Sequence, residues 1–150
     1  MPLLSYLSKR GIYLDIAKEE CREAHYTCHG KNYYAIAFPN EAGGYEIRNT
    51  YYKGCIAPKA VSLISQGQTD SICLFEGFMD YLSFLTLHKQ ERLTVPCYGA
   101  DLLVLNSVNN LSKALPRLKC YKHIHCYLDN DDAGRRVVDM LRELKGAAVH

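Results

Sequence analysis

The sequence predicts an α/β protein with a Rossmann-like parallel sheet, preceded by a small α+β module that contains an antiparallel hairpin. From Ser71 onward, β-prone and helical segments alternate, which favours a parallel sheet with right-handed crossovers. Before that point, β-prone segments are separated by a short turn instead of a helix, which favours antiparallel pairing. We expect an N-terminal module over residues 1–68 and a second domain over residues 69–150, with a linker near 66–70.

The first module is predicted to begin with helices and to continue as an antiparallel sheet. Residues 3–24 have helical character in two pieces, with a break at Gly11 and with Asp15 as the cap of the second piece. The β-prone segments that follow span residues 33–38, 45–49 and 61–64. The first two form a hairpin in which Gly43 and Gly44 are expected to supply positive φ angles.

The second domain is predicted to contain three strand–helix repeats. Strands are expected at residues 71–75, 94–98 and 123–128, and helices at 78–88, 109–118 and 132–145. Each helix carries apolar residues at helical spacing: Phe78, Leu82 and Leu85; Leu111, Leu115 and Leu118; Val137, Leu141 and Leu144. Gly146 is the expected C-cap of the last helix, and residues 147–150 resemble the start of a fourth strand. We therefore expect the domain to lack its last strand.

Composition and charge are ordinary for a soluble globular protein. Hydrophobic residues make up 48%, charged residues 23%, and the net charge of +2 alone does not indicate a polyanionic partner. The seven cysteines are odd in number and scattered, and neither a secretory segment nor a membrane-spanning stretch is present. Reduced thiols, a cytoplasmic location and no membrane partner are the expectation. Cys21, His25, Cys28 and His29 lie close in sequence but match no CxxC pair, so zinc is not predicted there.

The segment Cys126–Arg136 places carboxylates directly after an apolar strand. Asp129 and Asp131 lie one residue apart, so their side chains project toward the same space, which suits a hard cation such as Mg²⁺. A calcium EF-hand loop is excluded, because Ala133 and Met140 occupy positions that need oxygen ligands. An Asp-rich helix N-cap remains open for one or two of these acids.

Glu76 stands in the same position relative to its own strand. It follows the predicted strand 71–75, and Asp80 lies one helical turn further on the same side. Gly77 is expected to let the backbone turn sharply without a side chain in the way. If the two strands are neighbours, Glu76, Asp80, Asp129 and Asp131 converge. Clustered negative charges are costly unless a positive charge lies among them, and one or two divalent cations are the simplest way to supply it.

The motifs E-G-F-M-D and Y-L-D-N-D-D-A-G-R-R together resemble the Toprim domain. That domain is shared by bacterial DnaG-type primases, type IA and type II topoisomerases and some nucleases, and these forms are most similar to the primase branch. The fold implied is a Toprim-type, Rossmann-like sheet. The segment Ala100–Leu111 falls where primases have a loop, which would bring Asn106 and Ser107 near the site. The first module is similar, more loosely, to the part that precedes Toprim in primase cores.

The resemblance implies metal-dependent phosphoryl transfer on nucleic acid, by a primase-like nucleotidyltransferase that makes RNA primers from NTPs on single-stranded DNA during replication. Glu76 would be an acid–base or metal-associated carboxylate, Asp129 and Asp131 would hold Mg²⁺ or Mn²⁺, and Asp80 would support them. Nucleic-acid or nucleotide phosphates would be bound by Arg48, Lys53, Lys59, Asn106, Arg135 and Arg136. A helicase is a further candidate partner.

Two other functions stay open, together with one structural question. Toprim nuclease or topoisomerase-type cleavage is the first, and a non-catalytic DNA-binding accessory module of a mobile element is the second. Primases carry a zinc ribbon before this region and an acidic cluster after it, so a fragment or a reduced relative is expected.

The first module is rich in tyrosine, and these side chains could stack on bases. Aromatic residues on strands usually pack, however, and packing is the prediction for Tyr33, Tyr34, Tyr45, Tyr51 and Tyr52.

Overall fold

A computed structural model describes residues 2–65, 67, 69–90, 99–146 and 149–150. The chain divides into two compact units: Met1–Lys59 with Leu82–Leu93, and Ala60–Tyr81 with Thr94–His150. No helix within these described ranges is long and apolar enough to cross a bilayer. The predicted boundary between residues 68 and 69 stays a prediction.

The first unit consists of two short helices and a four-stranded antiparallel sheet. The elements are α1 (Pro2–Lys9), α2 (Leu14–Glu20), β1 (Arg22–Cys28), β2 (Lys31–Pro39), β3 (Tyr45–Arg48) and β4 (Lys53–Ile56). The strands follow the order β1-β2-β3-β4, so every neighbouring pair is joined by a local hairpin. Ala35, Ala37 and Ile47 form the buried centre of one face of this sheet. The predicted helical pieces, the break at Gly11 (φ 73°) and the β2–β3 hairpin are confirmed.

Two predictions for the start of this unit are wrong. Residues 22–24 were expected in a helix but belong to β1, which pairs with β2 over its whole length. The β1–β2 turn is made by His29 (φ 50°) and Gly30 (φ 75°), a pair of left-handed residues that suits a tight hairpin. The helix ends earlier, because Cys21 after α2 is already extended. Asp15 is not the cap of α2, because Tyr13 holds that position without a side-chain hydrogen bond. Asp15 lies in the first turn and forms an ion pair with Lys89 instead.

The β2–β3 hairpin needs its two glycines for different reasons. Gly43 has a φ of 87°, as predicted, whereas Gly44 has no positive φ. A Cβ atom at Gly44 would lie 2.0 Å from the Pro58 carbonyl oxygen, so Gly44 permits a close approach of backbone. Asn40 completes the turn, because its Oδ1 accepts hydrogen bonds from the backbone N–H groups of Ala42 (3.0 Å) and Gly44 (2.9 Å).

The second unit is built on a mixed sheet with a parallel centre, which confirms the predicted fold class. Its elements are β5 (Ser62–Ile64), β6 (Ser71–Phe75), the start of α3 (Phe78–Lys89), β7 (Asp101–Val104), a 3-10 turn (Val108–Asn110), α4 (Leu111–Leu118), β8 (His123–Tyr127) and α5 (Asp132–Lys145). The strand order is β5-β7-β6-β8. β6 is parallel to both β7 and β8, whereas β5 is antiparallel to β7.

The core of the second unit is formed by buried aliphatic side chains of the sheet and of helices α4 and α5. It contains Ile72, Leu74, Leu103, Leu105, Leu111, Leu118, Ile124, Val137 and Leu141. The predicted apolar faces of α4 and α5 are therefore largely correct. Leu144 is the exception, since it is 46% exposed. Gly146 is the C-cap of α5, as predicted, and its N–H bonds the Arg142 carbonyl.

Two differences from the predicted strands concern the middle and the edge of this sheet, whereas its end agrees with the prediction. The strand predicted at 94–98 lies outside the described residues, and Asp101–Val104, predicted as part of a loop, is the buried strand β7. Residues 62–64 were assigned to the first module, but they pair with β7 in the second sheet. Val149 forms a single parallel bridge to Ile124, which agrees with the predicted start of a further strand beside β8.

Candidate active site at the carboxyl ends of the parallel strands

The carboxyl ends of β6 and β8 lie side by side and place two acids next to each other. Phe75 pairs with Tyr127 in the parallel register, and their rings stack with centroids 5.4 Å apart. Glu76 follows Phe75 directly, and Asp129 follows Tyr127 after one intervening residue. The backbone N–H of Asp129 donates a hydrogen bond to Oε2 of Glu76 at 3.3 Å. The structure thus brings Glu76 and Asp129 together, as the strand pattern predicted.

Asp80 lies in the first turn of α3, at the same edge of the sheet. A Cβ atom placed on Gly77 would lie 3.7 Å from Oδ2 of Asp80, an ordinary contact distance, and Gly77 has no left-handed φ. Gly77 is therefore not required by a left-handed backbone conformation, and its expected role in keeping a side chain out of the site stays a prediction. The position of Asp80 one helical turn after Glu76 agrees with the expected geometry.

Asp131 is held by the start of α5. It is the N-cap residue, and its Oδ1 accepts a hydrogen bond from the Gly134 N–H at 2.8 Å. The N-cap alternative is therefore correct for this residue. Gly134 allows the start of α5 to pack closely on the backbone of Asp129. A Cβ at position 134 would lie 2.0 Å from the Asp129 carbonyl oxygen. Asp129, Asp131 and the helix start form one tightly fitted turn.

Glu76, Asp80, Asp129 and Asp131, called the carboxylate cluster below, are linked by the effect of the three aspartates on Glu76. Partial burial raises the pKa of Glu76 above its ordinary value, and the negative charges of Asp129, Asp131 and Asp80 raise it further. The hydrogen bond from the Asp129 N–H acts in the opposite direction but is outweighed. A site of this kind favours the uptake of a proton or the binding of a cation.

Two known families match this chain, one in its N-terminal part and one in its C-terminal part. Residues 73–149 match the Toprim-like family. The chain belongs to this family. Residues 1–57 match a different family, described as a domain of unknown function (DUF8464). Among curated proteins, no match was found.

Solved structures extend the similarity of the Toprim-like chain beyond the matched domain. A primase fragment of the bacteriophage T7 primase-helicase protein superposes with a TM-score of 0.64 and 17% identity, over 97% of this chain and 62% of that chain. Primase domains of bacteriophage T7 gp4, in a complex with the lagging-strand DNA polymerase, an RNA/DNA hybrid and dTTP, give a TM-score of 0.61 and 15% identity. That match covers 95% of this chain and 76% of the other. At these identities the likeness establishes the fold, and the chain spans 62% of the first fragment.

The carboxylate cluster of the Toprim-like domain fits a divalent cation by its chemistry. Carboxylate oxygens are the hard ligands that Mg²⁺ and Mn²⁺ prefer, and the raised pKa of Glu76 reflects charge that a cation would neutralise. In the described part of the chain, no three His, Cys, Asp or Glu side chains are already arranged to hold an ion together. Oδ1 of Asp131 is engaged by the helix cap. The donors are therefore present but not preassembled.

Arg135 and Arg136 lie in the first turns of α5 and are both exposed. Nη1 of Arg135 donates to Oδ1 of Asn130 at 3.1 Å, and Nη2 donates to Oδ1 of Asp132 at 2.7 Å. The guanidinium is thus held against the loop that carries the acids. The sequence analysis did not single out Asn130 or Asp132 for this contact, although arginine three residues after an aspartate on a helix indicates such a pair.

Asn106 is placed at the same edge of the sheet but is buried. The Leu105 N–H donates to the Phe75 carbonyl at 2.8 Å, so β7 and β6 end together. Nδ2 of Asn106 donates to the Ala60 carbonyl (2.9 Å) and to Oγ of Ser62 (3.0 Å), which fixes the segment leading into β5. Its φ of 66° is left-handed. Asn106 is only 8% exposed. A nucleotide-binding role for this residue stays a prediction.

The sequence analysis missed Asn110 and the purpose of Ser107 beside it. Nδ2 of Asn110 donates to the Leu105 carbonyl at 2.9 Å and closes the turn after β7. Ser107 is the N-cap of the 3-10 turn, with its Oγ accepting from the Asn109 N–H. The signal in the sequence was the polar run Asn106–Asn110 between two apolar segments, which is typical of a capped turn.

The remaining predicted phosphate-binding residues lie in the first unit. Arg48 is half-buried on β3 and pairs across the sheet with Lys53 of β4. Burial raises the pKa of Glu46, and the positive charges of Lys53 and Lys59 oppose that rise, so both lysines act near this carboxyl group. Lys53 and Lys59 are exposed. Their role in binding phosphate stays a prediction.

Proposed function

We propose that this chain is a primase-like catalytic core that carries out divalent-metal-dependent phosphoryl transfer on nucleic acid. In its specific form, the reaction is the synthesis of RNA primers from NTPs on a single-stranded DNA template. The observation that carries the proposal is the contact between Glu76 and Asp129 at the ends of adjacent parallel strands. A raised pKa of Glu76, caused by burial and by three further carboxylates, supports a catalytic use of this edge.

Each member of the carboxylate cluster has a distinct task in this proposal. Asp129 and Asp131 would hold Mg²⁺ or Mn²⁺, which when bound supplies charge neutralisation to the reacting phosphates. Glu76 takes up the proton of the attacking hydroxyl, because its raised pKa makes it a stronger base than an ordinary carboxylate. Asp80 supports Glu76 from the start of α3. These roles follow from position and charge.

Phosphate groups of template and nucleotides would be bound by the exposed cations. Lys53 and Lys59 in the first unit and Arg135 and Arg136 at the start of α5 are accessible. No acidic residue occurs from Ile47 to Ile64, and this stretch carries the positive charges of Arg48, Lys53 and Lys59, with Glu46 near both lysines. Arg48 is a further phosphate ligand in the proposal, and Asn106 contributes through its position at the end of β7. Similarity of fold to a primase fragment supports single-stranded DNA and NTPs as substrates and a helicase as partner.

The first experiment tests the metal site without requiring a complete enzyme. We expect Mg²⁺ or Mn²⁺ at tenfold above its Kd to raise the melting temperature by about 3 °C, because a ligand that binds only the folded state stabilises it. The double variant Asp129→Asn/Asp131→Ser should abolish this rise. Serine at position 131 retains an N-cap oxygen for the Gly134 N–H, so the helix start is preserved.

A matched control comes from the same helix. Asp139 is exposed on α5 beyond its first turns. Asp139→Asn also removes one negative charge, but the charge lies outside the carboxylate cluster. It should therefore leave the metal-induced rise in melting temperature intact. If the parent protein shows no rise with either cation, the metal-dependent proposal is wrong.

The second experiment assigns the reaction. The protein is incubated with labelled NTPs, Mg²⁺ or Mn²⁺ and a single-stranded DNA template, and the products are separated by length. Short RNA products that are lost in Glu76→Gln support primer synthesis. Nicking of a supercoiled plasmid without RNA products would replace it with Toprim-type cleavage, and template binding with neither product would indicate an accessory module.

A further inference from the structure

The sheet of the first unit carries a groove lined by tyrosines. Its volume is about 520 Å³, and Tyr26, Tyr33, Tyr51 and Tyr52 line it, with Ile47 among the other lining residues. We call it the tyrosine groove. The tyrosine groove belongs to the first unit, whereas the carboxylate cluster belongs to the second.

Three of the four tyrosines that line the groove are exposed, and Tyr26 is half-buried. Tyr51 is 95% exposed, Tyr52 is 53% exposed and Tyr33 is 38% exposed. The prediction that the tyrosines pack is confirmed for Tyr45, which lies against the buried centre of the sheet, whereas Tyr51 and Tyr52 are more than half exposed. Tyr26 and Tyr33 are cross-strand partners whose rings stack with centroids 5.5 Å apart and an interplanar angle of 21°. A stacked pair with one exposed ring, beside the exposed Tyr51 and Tyr52, offers flat surfaces to a planar ligand.

Asn49 organises the turn that presents Tyr51 and Tyr52. Its Oδ1 accepts hydrogen bonds from the N–H groups of Tyr51 (2.9 Å) and Tyr52 (2.8 Å), and its Nδ2 donates to the Tyr34 carbonyl at 3.1 Å. The Tyr52 ring lies over Gly54, where an added Cβ would approach the ring carbon Cε1 to 2.6 Å. The exposed rings are thus carried by a hydrogen-bonded turn, which reduces the entropy lost when a ligand binds.

The charge around the tyrosine groove is complementary to phosphate. The residues that line it include no carboxylate. Lys31 is the cross-strand partner of Cys28, which also lines the groove, so Lys31 is on the face of the sheet that carries Tyr26 and Tyr33. Arg48 and Lys53 are cross-strand partners that adjoin Ile47 and Gly54, so both lie on the opposite face. A ligand with planar rings and a negatively charged backbone matches an aromatic floor that lacks carboxylates and has Lys31 at one end.

We propose that the tyrosine groove binds a segment of single-stranded nucleic acid, with bases stacked on the exposed tyrosines and phosphates near Lys31. This inference rests on the proposed function, because it names a binding surface for the nucleic acid on which the second unit would act. It gives the first unit a binding role that does not depend on the carboxylate cluster. Stacking is tolerant of sequence, so the groove binds pyrimidine and purine strands alike.

The test measures binding of a fluorescently labelled oligothymidylate by anisotropy, with and without substitutions in the groove. Tyr51→Ala and Tyr33→Ala should each weaken binding roughly tenfold, as expected for the loss of one stacked base. Tyr51→Phe keeps the ring and should bind like the parent. Because the protein contains no tryptophan, quenching of its tyrosine fluorescence on binding gives a second readout.

Tyr34→Ala is the matched control. Tyr34 is 53% exposed, follows Tyr33 on β2 and therefore points to the opposite face of the sheet, where it contacts His25. It should bind oligothymidylate like the parent. Since Tyr51 is almost fully exposed, its replacement leaves the fold intact, and an unchanged melting temperature for Tyr51→Ala verifies this.

Parental affinity in both Tyr51→Ala and Tyr33→Ala would overturn the proposal, as would an equal loss in Tyr34→Ala. A dimer that dissociates in Tyr51→Ala, with oligothymidylate affinity unchanged, would overturn it as well and identify a second copy as the occupant. The result is independent of the metal test. Loss of binding in the groove variants together with no metal effect supports the groove and rejects the catalytic proposal, and the reverse pattern rejects the groove alone.

Discussion

Glu76 and Asp129 are joined by a hydrogen bond from the Asp129 N–H to Oε2 of Glu76 (3.3 Å), across the ends of adjacent parallel strands. The bond lies just past the last paired residues, Phe75 and Tyr127. It holds two negative side chains at one edge of the sheet, where Asp80 and Asp131 add to the charge. Folding therefore works against electrostatic repulsion at this point, which proteins commonly accept where the charge has a function.

Removing the charge of Glu76 should stabilise the protein in the absence of metal. The pKa of Glu76 in the folded state is raised above its ordinary value of 4.5, chiefly by burial. The folded state therefore binds this proton more tightly than the unfolded state, and stability is lost as pH rises through the folded-state pKa. We expect Glu76→Gln to raise the melting temperature at pH 7 by about 2 °C and to have no effect below pH ~4. Thermal unfolding followed by circular dichroism over this pH range measures both.

The same variant should weaken the stabilisation by Mg²⁺, because it removes one of the negative charges that attract a cation to the carboxylate cluster. Asp139→Asn serves as control for the pH series, since Asp139 is an exposed acid outside the carboxylate cluster. A lower melting temperature for Glu76→Gln than for the parent at neutral pH would contradict the electrostatic account.

Gly134→Ala should disrupt the site, whereas Gly77→Ala should be tolerated. A Cβ at position 134 would lie 2.0 Å from the Asp129 carbonyl oxygen, so the loop between β8 and α5 must shift. We expect a loss of about 2–3 kcal/mol in the free energy of unfolding and loss of the metal-induced stabilisation. At Gly77 the nearest atom to an added Cβ is Oδ2 of Asp80 at 3.7 Å, an ordinary contact. Urea unfolding measures the free energy of unfolding of both variants. Equal destabilisation would show that the close approach at Gly134 is relieved at little cost.

The sequence predicted the edge of the sheet well because its signals are local. An apolar run that ends in acids, followed by Gly134 and a helical apolar pattern, places β8, the loop and α5 without knowledge of the rest. The same holds for β6, Glu76 and α3. The adjacency of Glu76 and Asp129 was conditional on β6 and β8 being neighbours, which the strand order supplies.

The middle of the sheet was predicted poorly because its strand depends on distant partners. β7 (Asp101–Val104) is buried on both faces between β5 and β6, and a short apolar run of this kind has no periodicity that identifies a strand. β5 is defined only by its antiparallel pairing with β7. In the first unit, β1 was missed for a similar reason. Its exposed, mixed sequence becomes a strand through pairing with β2 across the His29–Gly30 turn.

Lys53 and Lys59 should each contribute one phosphate contact to nucleic-acid binding. Both are exposed and lie in a stretch without acidic residues. We expect Lys53→Gln and Lys59→Gln to weaken binding to single strands of different sequence about equally and to reduce the salt-dependence slope by roughly 0.7 each. Lys18→Gln, an exposed lysine of α2, should change neither quantity. Titrations of oligonucleotide affinity against salt concentration measure the slope, and an unchanged slope would remove that lysine from the proposed phosphate contacts.

Substitutions of Asn106 distinguish its structural role from the nucleotide contact that the sequence predicts. Replacement by Ala removes donors to the Ala60 carbonyl and to Ser62, and it places a Cβ-bearing residue without a polar side chain at a φ of 66°. We expect Asn106→Ala to lower the free energy of unfolding by about 2–4 kcal/mol. Asn106→Gly should lose roughly 1 kcal/mol less, because glycine adopts this conformation without strain. Urea unfolding gives these values, with the exposed Asn109→Ala as control. If Asn106→Ala keeps the stability of the parent but binds NTPs less tightly, Asn106 is a nucleotide ligand and its hydrogen bonds to Ala60 and Ser62 are incidental.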